Sequence, residues 1–387
     1  MHLSEACQLV LKFHPDLRTI PWDRRVADAR RVGAARLPNP TLEVEAEDFG
    51  GTGPYQGSRS TIYTSSIVQV IETGGKRAAR RDKAAAFGEL VEAEHGIRRR
   101  EVVVETSRRF VAALAGREML KLAERELASA RAGRTSVEAQ IEAGRATESE
   151  LRQAEMVSTR AELTVRRAQR DFEQALAALS AQWGCRGTQL AEVSGILGSP
   201  PRGLPSRAAA ERALDGHPAL AAARGRRSEC EAGLRLARAG RAPNVELAAG
   251  ARHDNASDDQ AFVLGASVPL PIFDDNRAAV REAEAELSKA ELAIGATRLD
   301  LATRFDAAWT ELANAHDAAV TVETSLLPKA RQVFDKTSEA YELGSAGFLE
   351  RLEARRQLDA ASRDWIEARR DYQLAAARLQ GLTGKPL

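Results

Sequence analysis

Residues 154–179 and residues 354–379 carry one heptad pattern written twice, 200 positions apart. The first set is Ala154, Ser158, Ala161, Val165, Ala168, Phe172, Ala175 and Leu179. The second is Ala354, Leu358, Ala361, Trp365, Ala368, Tyr372, Ala375 and Leu379. Arg170–Asp171 and Arg370–Asp371 recur at the same offset, as do Gly184 and Gly384. Apolar positions stepping by four and three residues describe long helices packed side by side, and a unit written twice describes a tube, an array or a pseudo-symmetric assembly. An enzyme is not expected from such a layout.

The duplication extends beyond the heptads. His14–Pro15–Asp16–Leu17 returns as His217–Pro218–Ala219–Leu220 on an early helix, and Arg36–Leu37–Pro38–Asn39 returns as Arg241–Ala242–Pro243–Asn244 at that helix's end. After each comes a pair of alternating segments joined by Gly, Asn and Asp, the signature of a hairpin with a long tip. The hairpins are expected at about 41–72 and 244–271. Gly74 and Gly75 would turn the first into a helix, and Pro269 and Pro271, which cannot donate ladder hydrogen bonds, would mark where the fourth strand leaves its sheet. Long helices are expected over 77–142 and 146–184, then 277–342 and 346–382, with one interruption at Pro328. At 1.5 Å per residue the first would run roughly 100 Å. The chain thus divides into a first repeat (1–184), a linker rich in Gly and Pro (185–206) and a second repeat (207–384).

Composition agrees with this and excludes several classes. Charged residues make up 29% of the chain and aromatics 5%, which suits long helices better than a compact α/β core. Basic and acidic residues number 56 and 55, so no overall field favours nucleic acid. Cys7, Cys185 and Cys230 have no metal or redox spacing, and no apolar run approaches the ~20 residues of a membrane-spanning helix. Met1 leads directly into an amphipathic pattern without a signal peptide, a start that a removed leader would also leave. Neither HExxH, a phosphate-binding loop nor a Ser–His–Asp motif is present, and no cofactor is expected.

Four short strands leave two open edges, and paired long helices have no globular core to cover them. Three chains would supply twelve strands, enough to close a barrel. The fold expected is therefore mainly α with a small β part: duplicated antiparallel helical hairpins forming an α-helical barrel, with four strands per chain entering a trimeric membrane β-barrel. The doubled layout, the HPxL and PN motifs, and the segments VQVIETGGKR and VPLPIFDDNR resemble the TolC-type outer-membrane efflux proteins along essentially the whole chain. The IETGGKR turn and short loops most resemble the cobalt–zinc–cadmium and copper–silver resistance branch.

The resemblance implies a passive homotrimeric channel in the outer membrane with a periplasmic extension, fed by an adaptor (membrane fusion) protein and an inner-membrane pump of the RND type. It implies a cation-selective periplasmic aperture at Glu150, Glu350 and Glu353, with export of heavy-metal cations. It also implies adaptor contacts at the helix tips, Gly144, Arg145, Ala146, Gly344, Ser345, Ala346 and Gly347. The family's tip arginine is replaced by Ala346, which points to Arg351 or Arg145 for any gating lock, while Tyr341 is expected to pack among helices. His253, Asp254, Asp258 and Asp259 are weak metal candidates in a loop tip. Rival readings are a drug, solvent or type I secretion channel of the same fold, a periplasmic adaptor, and a soluble coiled-coil scaffold. The twin hairpins and the tandem layout argue against the last two.

Overall fold

The computed structural model describes residues 1–187, 190, 192–201 and 203–384. Positions 188, 189, 191 and 202 of the expected linker, and 385–387, lie outside the described residues. The elements run α1 (Leu3–Phe13), α2 (Ile20–Ala35), β1 (Thr41–Glu47), β2 (Ile62–Ile71), α3 (Lys76–Glu142), α4 (Glu148–Ser180) and α5 (Arg207–Arg212). They continue with α6 (Pro218–Ala239), β3 (Val245–Asp254), β4 (Asp259–Ser267), α7 (Arg277–Thr321), α8 (Leu327–Glu342) and α9 (Phe348–Thr383). Two compact units result: Met1–Ile20, His95–Pro218 and Arg298–Leu387 form one, and Pro21–Glu94 with Ala219–Thr297 form the other. Each draws on both sequence repeats, because the hairpins of one repeat pack with those of the other.

In the first unit the heptads form the seam they describe. Ala154, Ser158 and Leu179 of α4 and Ala354, Ala361, Tyr372, Ala375 and Leu379 of α9 are buried. Leu179 joins Phe110, Leu114 and Leu176 in one apolar cluster, and Leu379 joins Phe305, Leu312 and Tyr372 in another. The first HP motif lies at a helix break rather than on the early helix expected, whereas Pro218, Ala219 and Leu220 of the second lie on α6. His14 ends α1, and its Nδ1 accepts the Asp16 N–H at 3.2 Å to cap a 3-10 turn over Pro15–Thr19. A proline disfavours helical backbone in the residue before it, so HP marks a break. His217 likewise precedes α6, which opens on Pro218.

The interruption in the second long helix is a π-helical turn over Val322–Leu326. Pro328 sits in the first turn of α8, and the Leu327 N–H reaches back to Val322 O. In regular α geometry the proline ring would meet the carbonyl four residues back, and the widened turn moves that carbonyl away.

In the second unit β1-β2-β3-β4 form one antiparallel sheet. The central pairing, β2 with β3 from Ile62↔Asp254 to Ile71↔Val245, joins the two repeats and leaves β1 and β4 as edges. Gly250 permits that pairing: a Cβ there would stand 2.7 Å from Ser66 Cα and closer still to Ser65 O. The fourth strand ends at Ser267, ahead of Pro269 and Pro271.

The strand-to-helix turns are fixed by motifs from both repeats. Gly74 and Gly75 have φ of 67° and 74°, and a Cβ on Gly74 would stand 2.6 Å from that of Ala242. Thr73 Oγ1 donates to Pro243 O and Lys76 Nζ to Asn244 Oδ1, so the ETGGK turn is tied to the PN motif of the second repeat. Arg80 clasps the Glu72 carboxylate, one bond being 2.8 Å, and holds it below the usual carboxylate range. The second copy uses Asn276 instead, at φ 62°, with Nδ2 donating to Ala237 O at 2.6 Å.

Candidate functional site

The first helix tip follows from one glycine and one cap. Gly144, at φ 68°, ends α3 in a left-handed turn, with the Arg145 N–H donating back to Gln140 O at 2.8 Å. Thr147 then caps α4. Glu150 Oε2 accepts the Thr147 N–H at 2.7 Å, while the Glu150 N–H donates to Thr147 Oγ1 at 3.3 Å. This reciprocal box places helix entry at Glu148, two residues later than the sequence suggested.

The second tip repeats the plan. Gly344 is at φ 74°, the Ser345 N–H donates to Ala340 O at 2.9 Å, and Ser345 Oγ donates to the same carbonyl. Glu350 Oε2 accepts the Gly347 N–H at 3.0 Å, so α9 begins at Phe348. Gly347 has no hydroxyl to return the bond. The three expected aperture carboxylates therefore differ: Glu150 and Glu350 are engaged with backbone, whereas Glu353 meets side chains, Gln357 Nε2 at 3.3 Å and Arg356 Nη1 at 3.9 Å.

Arg351 lies over the Tyr341 ring at 5.0 Å. Tyr341 does more than pack: its hydroxyl donates to Gln140 Oε1 at 2.8 Å, a side-chain link from α8 to α3. Arg145 and Ala346 sit in the turns. The weak metal loop is spent on its own fold. Asp254 Oδ1 accepts the Ala256 N–H at 2.8 Å, and His253 Nε2 stands 3.9 Å from Asp258. Among the described residues no group of three or more His, Cys, Asp or Glu could hold a metal ion. Cys7, Cys185 and Cys230 are free thiols.

The sheet supplies the other half of the candidate site, through its register. Residues paired across antiparallel strands share a face. Leu42 and Val44 of β1, Tyr63 and Ile67 of β2, Leu247 of β3, and Phe262 and Leu264 of β4 therefore line one face. All are exposed, Phe262 by 95% and Leu264 by 85%. The opposite face carries Glu43, Glu45 and Glu47 of β1 with Thr64, Ser66, Arg252 and Asp254, alongside Ile62, Val68, Val70 and Val263. A sheet with one bare, largely apolar face and its acidic and arginine residues on the other matches the wall of a membrane barrel. Among the described residues no helix is long and apolar enough to cross a membrane.

The glutamate row was missed by sequence reasoning, although the alternation in TLEVEAE carried it. Gln140 was also missed, and only the three-dimensional approach of α8 to α3 could have found it.

The profile of the family described as outer membrane efflux protein matches residues 6–185 and 209–385, one match to each repeat. The cobalt-zinc-cadmium resistance protein CzcC of Cupriavidus metallidurans is 28% identical over 90% of this chain and 82% of its own length. The nickel-cobalt-cadmium resistance protein NccC of Alcaligenes xylosoxydans xylosoxydans is 27% identical over 77% of this chain and 67% of its own. A solved structure of CusC superposes with a TM-score of 0.80 at 17% identity, covering 98% of this chain and 91% of that one, and shares the fold. With both halves matched and the fold shared end to end, the chain belongs to the outer membrane efflux protein family, whose members transport rather than catalyse.

Proposed function

We propose that three copies of this chain form the outer-membrane channel of a three-part efflux assembly, which passively exports heavy-metal cations handed on by a periplasmic adaptor and an inner-membrane pump of the RND type. The observation that carries this reading is the register of the sheet. It gives each chain an apolar face suited to lipid and, on the other face, Glu43, Glu45 and Glu47. Three chains would close the open edges β1 and β4 against one another, lining the barrel with acidic rows that favour cations. Glu353 would add a ring at the periplasmic aperture, with Glu150 and Glu350 beside it. The capped tips at Gly144–Ala146 and Gly344–Gly347 would present the adaptor surface. The metal-resistance names of CzcC and NccC support the cargo class.

Two measurements test this. In planar bilayers the purified protein should prefer cations, and the triple change Glu43→Gln, Glu45→Gln, Glu47→Gln should reduce that preference. Deleting the gene should sensitise cells to cobalt, zinc, cadmium or nickel. Unchanged metal tolerance with raised sensitivity to dyes or solvents would reassign the cargo to organic compounds.

A further inference from the structure

A cavity of about 100 Å³ lies among α3, α4, α8 and α9, within the first compact unit. Glu126 of α3 projects into it with its side chain 8% exposed. Its Oε2 accepts from Arg363 Nη2 at 2.8 Å, but its buried Oε1 has no hydrogen-bond partner. Asp359, one turn before Arg363 on α9, shares the cavity and accepts from Arg355 Nε at 2.9 Å. Its side chain is 19% exposed.

The other charged groups facing this space are Arg351 of α9 and Arg134 of α3, the latter already paired with Glu138 at 2.8 Å. From α4 come only Ala154 and Val157, and from α8 only Phe334, none of which titrates. A carboxylate oxygen without a donor, next to a second carboxylate and facing apolar walls, disfavours its charged form. Burial pushes the Glu126 carboxyl up, partly opposed by Arg363 and assisted by Asp359. Burial likewise pushes Asp359 up against Arg355 and Arg363.

We propose that this cavity is a proton-binding site tying the first helical hairpin to the second, with Glu126 taking up a proton beside Asp359 as pH falls and α3 packing more firmly on α9 in acid than at neutral pH. The proton passes from a hydronium ion to Glu126 Oε1: one hydronium O–H bond breaks, a carboxyl O–H bond forms and a neutral water is left. Arg363, the partner of the other oxygen, is 47% exposed and so in contact with water. When the hairpins part, both carboxyls become hydrated and return to ordinary acidity, so the proton favours the packed state. The gain is complete below the hydrated carboxyl value of about 4.3 and fades as pH rises through the raised one. This goes beyond the channel reading and does not depend on what is transported.

The test is hydrogen–deuterium exchange on the full-length protein between about pH 4.5 and 7.5, corrected for intrinsic rates and read at residues 122–133 and 352–366. Wild-type protection should fall as pH rises, by up to about tenfold per unit by which the carboxyl is raised. Glu126→Gln imitates the protonated acid and should keep protection high throughout. Asp359→Asn, which removes the facing charge, should flatten the same profile. Wild-type protection that is constant or rises with pH would overturn the proposal, as would a Glu126→Gln profile identical to wild type. Because this readout is local and needs no conductance, it can fail while the channel reading stands, and the reverse also holds.

Discussion

Glu150 and Glu350 occupy equivalent positions and do equivalent work, each turning its carboxylate back onto the backbone N–H of the residue that caps its helix. Only the first copy has a hydroxyl in the reciprocal role. Thr147→Ala should cost about 1 kcal/mol, seen as faster amide exchange at residues 148–151. Glu353 is not used by a cap, so Glu353→Gln should lower cation preference in reversal-potential measurements while leaving the start of α9 protected. A separate expectation concerns His217, which burial, followed by Arg100 and Arg304, lowers from 6.5 to about 4. The fold accepts this imidazole neutral, whereas an unfolded chain protonates it near pH 6.5. The associated stability is therefore complete above about pH 6.5 and is lost as pH falls toward about 4. In thermal melts, His217→Asn should show a shallower loss across that window. This dependence has the opposite sign to the one proposed for Glu126, which is why the latter is read locally.

At the scale of elements, close approach decides more than propensity. Gly250 sits in mid-strand with ordinary backbone, and its lack of a side chain lets β3 lie against β2. Gly250→Ala should destabilise the sheet by about 1–3 kcal/mol and reduce the heat-resistant fraction of assembled protein on gels. The long helices were legible because nothing in α3 interrupts the pattern from Lys76 to Glu142. The hairpins were legible from alternation. Sequence alone puts the helix starts two residues early because Ala146 and Ala346 are good helix formers, while the cap contacts that exclude them lie three residues apart across the turn. Pro328 announced a break but not its form, since a π turn depends on how the preceding carbonyls find room. Glu126 and Asp359 look like ordinary surface residues in sequence. Their role depends on α3 and α9 meeting, which heptad spacing alone does not reveal.

For the whole molecule, the two faces of the sheet make opposite demands. Leu264 and Val263 are neighbours in β4 yet point to different faces. Leu264→Lys should place a charge toward lipid, at a cost of about 2–4 kcal/mol near mid-bilayer, and should deplete assembled protein from outer-membrane fractions. Val263→Lys, on the face that holds the glutamates, should assemble normally and change conductance instead. Joining β2 to β3 also sets the order of events during synthesis. Ile62 must wait for Asp254, 192 residues later, before its edge is paired. At about 5–20 residues per second, that leaves the strand edge bare for on the order of 10–40 s. The first repeat therefore leaves the ribosome as an unfinished template for strand pairing, and keeping it from the wrong partner until the second repeat arrives is a kinetic requirement of this fold.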